Sequence, residues 1–382
     1  MSRLHVAVVA PSLRILGGQA VQADRLLRAW NGDPDVDAWL VPINPEPPGP
    51  FRHALNVKYV RTLATQLVYW PLLVRELRRA DVVHVFSASY WSFLLAPLPA
   101  ALVARLLGKP VVMNYRSGEA ADHLRRSAIA RATLRAVDRN VVPSRFLQEV
   151  FAAVDIRAEV IPNIVDTDRF AFRRREPLRP RILSTRNFES LYNVACTLRA
   201  FAVVQRRHPH ATLTLVGGGS QDAALRDLAH ELGLREVTFA GRVPPSDIWR
   251  YYSDADIYVQ TPDIDNMPSS VLEAYASGCP VVATAAGGVP AILTDEVQGL
   301  LAPRGDHQAV AERVLRLLSD TDLTRRIVDT ARASCDEYRW SAVRERWLAL
   351  YRSLAHPSAD PAERTEGVPA GDRAGARGGA PV

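Results

Sequence analysis

The run Asp265-Asn-Met-Pro-Ser-Ser-Val-Leu-Glu273-Ala-Tyr-Ala-Ser-Gly278-Cys-Pro-Val-Val-Ala-Thr-Ala-Ala-Gly-Gly288-Val-Pro290 decides the fold. A polar opening, an apolar stretch with helical spacing, a glycine stop, a β-type run and a Gly-Gly turn follow one another there. A helix beginning near Ser269 aims unpaired backbone N–H groups and the positive end of its dipole at the preceding loop, a ready site for a diphosphate. Glu273 lies one turn in, where a carboxylate accepts hydrogen bonds from ribose hydroxyls. Taken alone, the stretch is more safely read as a helix start capped by Asn266 and Ser269 with a surface carboxylate behind it.

Outward from this run, short apolar strands alternate with longer helical segments, the pattern of parallel sheets covered on both faces. Strands are expected at His5–Ala10, Asp81–Phe86, Pro110–Asn114, Arg139–Val142 and Ala158–Ile161, with a loop over Pro11–Gly18 and a helix over Gln19–Trp30. The series restarts at Arg181–Ser184 and continues through Thr212–Val216, Val237–Ala240, Asp256–Gln260 and Pro280–Ala283. Val194–Arg207, Asp222–Leu232 and Ser269–Ser277 are the helices between them. The chain of 382 residues thus divides into a first domain over 1–165 and a second over 166–355, with the last helix returning to the first, and a Pro-, Ala-, Gly- and Arg-rich tail over 356–382 that is expected to be disordered.

Composition narrows the function. With 48% hydrophobic and 23% charged residues the chain is globular. The opening Met1-Ser-Arg-Leu-His-Val runs straight into a strand without a secretory leader, so a cytoplasmic protein is expected. The apolar run Trp91–Leu107 is interrupted by Pro97, Pro99 and Arg105 and reads as a buried helix rather than a membrane span. Cys196, Cys279 and Cys335 suit reduced packing thiols. Residues 1–165 carry 20 Lys+Arg against 13 Asp+Glu, whereas the rest is nearly balanced. A positive first half suits an anionic acceptor or peripheral contact with an anionic membrane, and His123–Arg135, with apolar residues among its arginines, is the expected contact helix. No aromatic-interleaved basic motif speaks for nucleic acid.

The run Asp265–Pro290, together with Gly17-Gly18, Val160-Ile-Pro-Asn163-Ile-Val-Asp166 and Val216-Gly-Gly-Gly219, resembles the retaining glycosyltransferases of family four. The resemblance implies a GT-B fold, an α/β arrangement of two Rossmann-like, doubly wound domains facing a cleft. It also implies a nucleoside diphosphate sugar as co-substrate, a hydroxyl acceptor of a family whose acceptors include lipid-linked ones, and no metal cofactor. On this resemblance Gly17 and Gly18 close over the diphosphate and sugar, Arg186 opens the phosphate clamp, and Gly217, Gly218, Gly241, Arg242 and Val243 hold the base. Asn266, Met267, Pro268, Ser269 and Ser270 supply the helix-start loop, and Glu273 takes the ribose. Asp265 and Arg116 are the expected catalytic pair.

Three positions depart from the family pattern. Asp265 stands for a glutamate, Leu191-Tyr192-Asn193 occupies the neighbourhood of an absent lysine, and Arg116 replaces a histidine. They leave open a non-catalytic sugar-nucleotide-binding subunit, or an epimerase of the same fold, beside the hexosyltransferase reading. Asp263-Ile-Asp265 also matches a three-residue metal motif of another architecture, but a helix start and Arg186 neutralise a diphosphate without metal. A pyridoxal phosphate phosphorylase is excluded because the second half has no lysine for the Schiff base; Lys58 and Lys109 are the only two in the chain.

Overall fold

Strands apolar on both faces need helices on both sides, and this requirement builds both halves of the molecule. The structure is a computed structural model that describes residues 3–14, 17–45 and 58–356. The elements of the first half are β1 (Leu4–Ala10), α1 (Gly18–Trp30), β2 (Val36–Pro42), α2 (Lys58–Leu77), β3 (Val82–Ser87), α3 (Tyr90–Leu95), α4 (Pro97–Leu106), β4 (Val111–Tyr115), α5 (Ala120–Arg126), α6 (Ala128–Ala136), β5 (Arg139–Val142), α7 (Arg145–Ala152) and β6 (Glu159–Val160). Its parallel sheet has the order β2-β1-β3-β4-β5-β6.

The second half runs β7 (Arg181–Ser184), α8 (Val194–Arg207), β8 (Thr212–Val216), α9 (Asp222–Glu231), β9 (Val237–Gly241), α10 (Ile248–Asp254), β10 (Ile257–Gln260), α11 (Ser269–Ser277), β11 (Val281–Thr284), β12 (Leu300–Ala302), α12 (His307–Ser319), α13 (Thr321–Ser334) and α14 (Trp340–Ala355). Its sheet has the order β12-β11-β10-β7-β8-β9, again parallel. This is the GT-B α/β arrangement.

The strap between the sheets is arginine-rich for a physical reason. Arg175 donates to the carbonyls of Tyr252, Ala255 and Ser277, groups at or beside helix C-termini that lack intrahelical donors. Arg173 and Arg181 meet the buried Asp256 carboxylate at 2.9 and 2.7 Å. Their hydrogen bonds hold its pKa below the ordinary value despite a desolvation that acts the other way.

Helix α14 returns to the first sheet, where Trp347, Leu350 and Tyr351 share a core with Val6, Val8, Trp30 and Phe86. Arg344 anchors it to Asp33 at 2.7 Å and to Asp35 at 2.6 Å, and Arg352 also meets Asp35. The Arg344 hydrogen bond holds the Asp33 carboxyl below its ordinary pKa. A carboxylate lowered in the folded state stabilises above its unfolded value near 3.8 and loses that contribution as pH falls through the folded value. Arg344→Ala therefore costs about 2 kcal/mol at neutral pH, read as a melting temperature lower by roughly 4 to 8 °C. The gap between variant and wild type closes in acid; a gap that persists below the Asp33 titration, or none at neutral pH, contradicts this account.

Several expectations need correction. Trp91–Leu107 is not one buried helix: α3 ends at Ala96, whose backbone leaves the helical region before Pro97, and Trp91, Leu102 and Leu106 are exposed. His123–Arg135 is likewise two helices, because Ser127 caps α6 by accepting the Ala130 N–H. Its apolar residues Leu124, Ala130 and Leu134 are buried in the first core, so this segment offers no interfacial face beyond Ile129. Strands β2 and β12 and helix α2 lie where no element was expected. Strand β6 keeps only two residues of its run, and Asp256 precedes β10 as an ion-pair centre. Residues 357–382, most of the expected tail, lie outside the described residues.

Candidate active site

The start of α11 carries the densest set of expected site residues. Pro268 is its N-cap and gives no side-chain hydrogen bond, and the first turn holds no acid, so the leading N–H groups of Ser269 and Ser270 have no side-chain cap. Two glycines fix the loop before it. A Cβ on Gly287 would stand 2.0 Å from the Asp265 carbonyl oxygen, and one on Gly288 only 1.7 Å from that of Asn266. The Gly-Gly turn is thus a packing requirement of the loop, and the Gly288 N–H donates to the Asp265 carbonyl.

Arg186 faces this helix start from the loop after β7. Its Nη2 lies 2.6 Å from Asp265 Oδ2, its Nη1 donates to Ser270 Oγ, and its guanidinium sits 4.1 Å from the centre of the Tyr192 ring. Its Nε is buried with no partner among the described residues. Asp265 and other nearby groups raise the Arg186 pKa against the opposing effect of burial. Asp265 is engaged at both oxygens, since Oδ1 accepts the Asn266 N–H. The Leu191-Tyr192-Asn193 stretch has structural duties: Tyr192 is the platform under Arg186, and Asn193 caps α8 and donates to Asp263. Asp263 and Asp265 therefore turn to different partners and do not form a pair.

The glycines after β8 also make a close approach, because a Cβ on Gly217 would fall 2.1 Å from the Arg186 carbonyl oxygen. Gly218 adjoins the Arg242 side chain, the Gly217 N–H donates to the Gly241 carbonyl, and Val243 packs against the second-domain core. Gly217, Gly218, Gly241, Arg242 and Arg186 thus share one edge of the second sheet, the carboxyl ends of its strands, where open α/β sheets bind ligands.

Residues of the first half close the other side. Gln22 Nε2 donates to Ser269 Oγ at 2.9 Å, Ser144 donates to Asn266 Oδ1 at 2.6 Å, and Asn163 Nδ2 donates to the Met267 carbonyl. Arg25 meets Glu273 at 2.5 Å, with both side chains largely buried. None of Gln22, Arg25 or Ser144 was among the expected site residues, and their partners stand more than a hundred positions away in sequence. Gly17 and Gly18 begin α1, and a Cβ on either meets no atom of the described residues within 4 Å. Packing does not require them to be glycine.

Arg116 is differently placed from the other expected residues. Its guanidinium lies over the Phe86 ring and donates to Asn114 Oδ1, while Nη2 is buried without a partner among the described residues. Burial lowers its pKa to about 9. Burial and this neighbouring cation depress His84 to about 3, and His84 sits between Asn114 and the Tyr351 hydroxyl. Two residues on, Gly118 abuts Ile264, Asp265 and Asn266. Gly118, not the Arg116 side chain, touches the loop that carries Asp265, and among the described residues Arg116 makes no ion pair with Asp265.

A separate groove of about 1890 Å³ opens at the amino ends of β4 and β5, lined by residues such as Arg105, Lys109, Arg135 and Arg157. No candidate site residue lines it.

Known proteins resemble most of the chain. Residues 16–169 match the family described as glycosyltransferase family 4, and residues 166–334 match glycosyl transferases group 1. A GDP-mannose-dependent alpha-(1-6)-phosphatidylinositol monomannoside mannosyltransferase of Mycolicibacterium smegmatis is 30% identical over 290 residues, which cover 69% of this chain and 75% of that protein. A D-inositol 3-phosphate glycosyltransferase of Corynebacterium urealyticum is 34% identical over 176 residues, 44% of this chain and 42% of that protein. Among solved structures, Anabaena Alr3699/HepE in complex with UDP-glucose superposes with a TM-score of 0.73 at 18% identity, covering 92% of this chain and all of that one, and so supports the fold.

Proposed function

Since the chain belongs to the family four glycosyltransferases, we propose that it moves a hexosyl group from a nucleoside diphosphate sugar to a hydroxyl acceptor, with retention at the anomeric carbon. The observation that carries this reading is the uncapped start of α11 facing Arg186 at the carboxyl edge of the second sheet. The bond from C1 to the phosphate oxygen breaks with its electron pair on the diphosphate. The acceptor oxygen bonds to C1 from the same face, and its proton passes to a diphosphate oxygen. Arg186, the N–H groups at Ser269 and Ser270 and the Gly17-Gly18 backbone stabilise the departing charge. Asp265 orients Arg186, and Glu273 takes the ribose once Arg25 releases it. Gly217, Gly218, Gly241, Arg242 and Val243 border the base. Arg116 adds positive potential from the first domain.

The relatives include proteins named for phosphatidylinositol mannoside and inositol phosphate acceptors, which supports a lipid-linked or phosphorylated polyol acceptor. Among the described residues no helix is long and apolar enough to cross a membrane. The test is a transfer assay of purified protein against a panel of nucleoside diphosphate hexoses with lipid and polyol acceptors. Product with the anomeric configuration of the donor is expected, and donor turnover on no member of the panel counts against the reading. Turnover survives EDTA, because helix N-termini and arginine supply the positive charge; abolition by EDTA and recovery with a divalent ion would assign that charge to a metal.

A further inference from the structure

Helices α2, α3 and α4 cover one face of the first sheet, and their inner residues Tyr69, Leu73, Phe93, Ala100 and Ala104 belong to its core. Their outer residues are unusual. Leu63, Leu67 and Trp70 recur at helical spacing along α2 with exposures of 64, 69 and 41%. Trp91 of α3 is 76% exposed, and Leu102 and Leu106 of α4 are 45 and 84% exposed. Six of the ten exposed large hydrophobics among the described residues belong to α2, α3 and α4. Single exposed apolar residues are ordinary, but a concentration in one helical layer marks an interaction surface.

Two further observations bear on what the layer meets. Tyr90, immediately before Trp91, has a φ of 55°, a left-handed conformation that strains a bulky residue. Its hydroxyl is tied to Asp122, so the backbone is held in the turn that starts α3 with Trp91 outward. The charge is also one-sided: residues 58–109, from the start of α2 to the loop after α4, contain seven Lys and Arg against two Asp and Glu. Of those two acids, Glu76 is paired with Arg75 and Arg79, and Asp81 accepts from the His5 backbone N–H. Leucine and tryptophan within an excess of arginine match the interface of an anionic bilayer, where aromatic rings settle at headgroup depth and arginines meet lipid phosphates.

We propose that the outer face of the α2, α3 and α4 layer docks on an anionic lipid surface, with Leu67 and Trp91 entering the headgroup region. The proposal stands independently of the donor and acceptor assigned above, because its readout is binding and not turnover. Full-length protein is sedimented with vesicles of phosphatidylglycerol and phosphatidylcholine, and with phosphatidylcholine alone. Binding to the anionic vesicles only, weakened by salt, is expected. The Leu67→Ser, Trp91→Ser double variant lowers partitioning by about tenfold or more with an unchanged melting temperature. If that variant does not fold, Leu102→Ser with Leu106→Ser decides on the same scale. Wild type left in the supernatant at low salt, or folded variants that sediment like wild type, overturn the proposal. A micromolar dimer seen by light scattering and lost in the variant does so too, and assigns the face to a second copy of the chain.

Discussion

Arg186→Ala lowers transfer by roughly 10² to 10³-fold, the usual effect of deleting one preorganised donor to a developing oxyanion. It also weakens the donor complex, because the guanidinium already lies at the helix start before any charge develops. The loss exceeds that of a simple charge deletion, since Asp265 is left as an unpaired carboxylate in the same site. Arg186→Lys recovers little, as an ammonium does not reach Asp265 and Ser270 together while lying flat over Tyr192. Arg116→Ala separates from it: Arg116 makes no bond to the helix start, so turnover falls while donor affinity holds. Steady-state kinetics and donor titration on the three variants check this, and an Arg186→Ala enzyme with wild-type turnover removes Arg186 from the site.

Glu273→Ala weakens donor binding by about 1.5 to 3 kcal/mol, the scale of a hydrogen bond to a charged group. Arg25 gives the opposite result. Its guanidinium holds the Glu273 carboxylate across the domain boundary, so a ribose must displace it. Arg25→Ala therefore tightens the donor several-fold, by leaving Glu273 free to accept from the nucleoside. Calorimetric titration of both variants with a nucleoside diphosphate distinguishes the two effects. Equal weakening in both would make Arg25 a second ribose ligand instead of a competitor.

The contrast between these residues shows what a sequence discloses. Continuous apolar strands such as β1 and β11 are visible because both faces of the sheet are covered. Strand β2 was hidden by its edge position, an Asp37 next to its start and a Pro42 at its end, and β12 by having only three residues. Pro71 inside α2 broke a helical pattern that the tertiary packing of Tyr69, Leu73 and Leu77 restores. In the site, Glu273 and the α11 start were legible from local spacing. Arg25, Gln22 and Ser144 were not, because each acquires its partner only when the two domains meet. The Arg186–Asp265 pair lies between these cases: both residues stood out in sequence, and their union did not.

Helix α14 has a consequence for synthesis. The first sheet is complete by Val160, yet the core around Val6, Trp30 and His84 is closed by Trp347 and Tyr351. At about 10 residues per second on the ribosome, some 20 seconds pass between the last strand of the first domain and the helix that seals it. During that interval one face of β1 and β3 waits without its cover, and Asp33 and Asp35 wait without Arg344. The domain that emerges first is finished last, and emergence of α14 from the exit tunnel sets the moment at which its core closes.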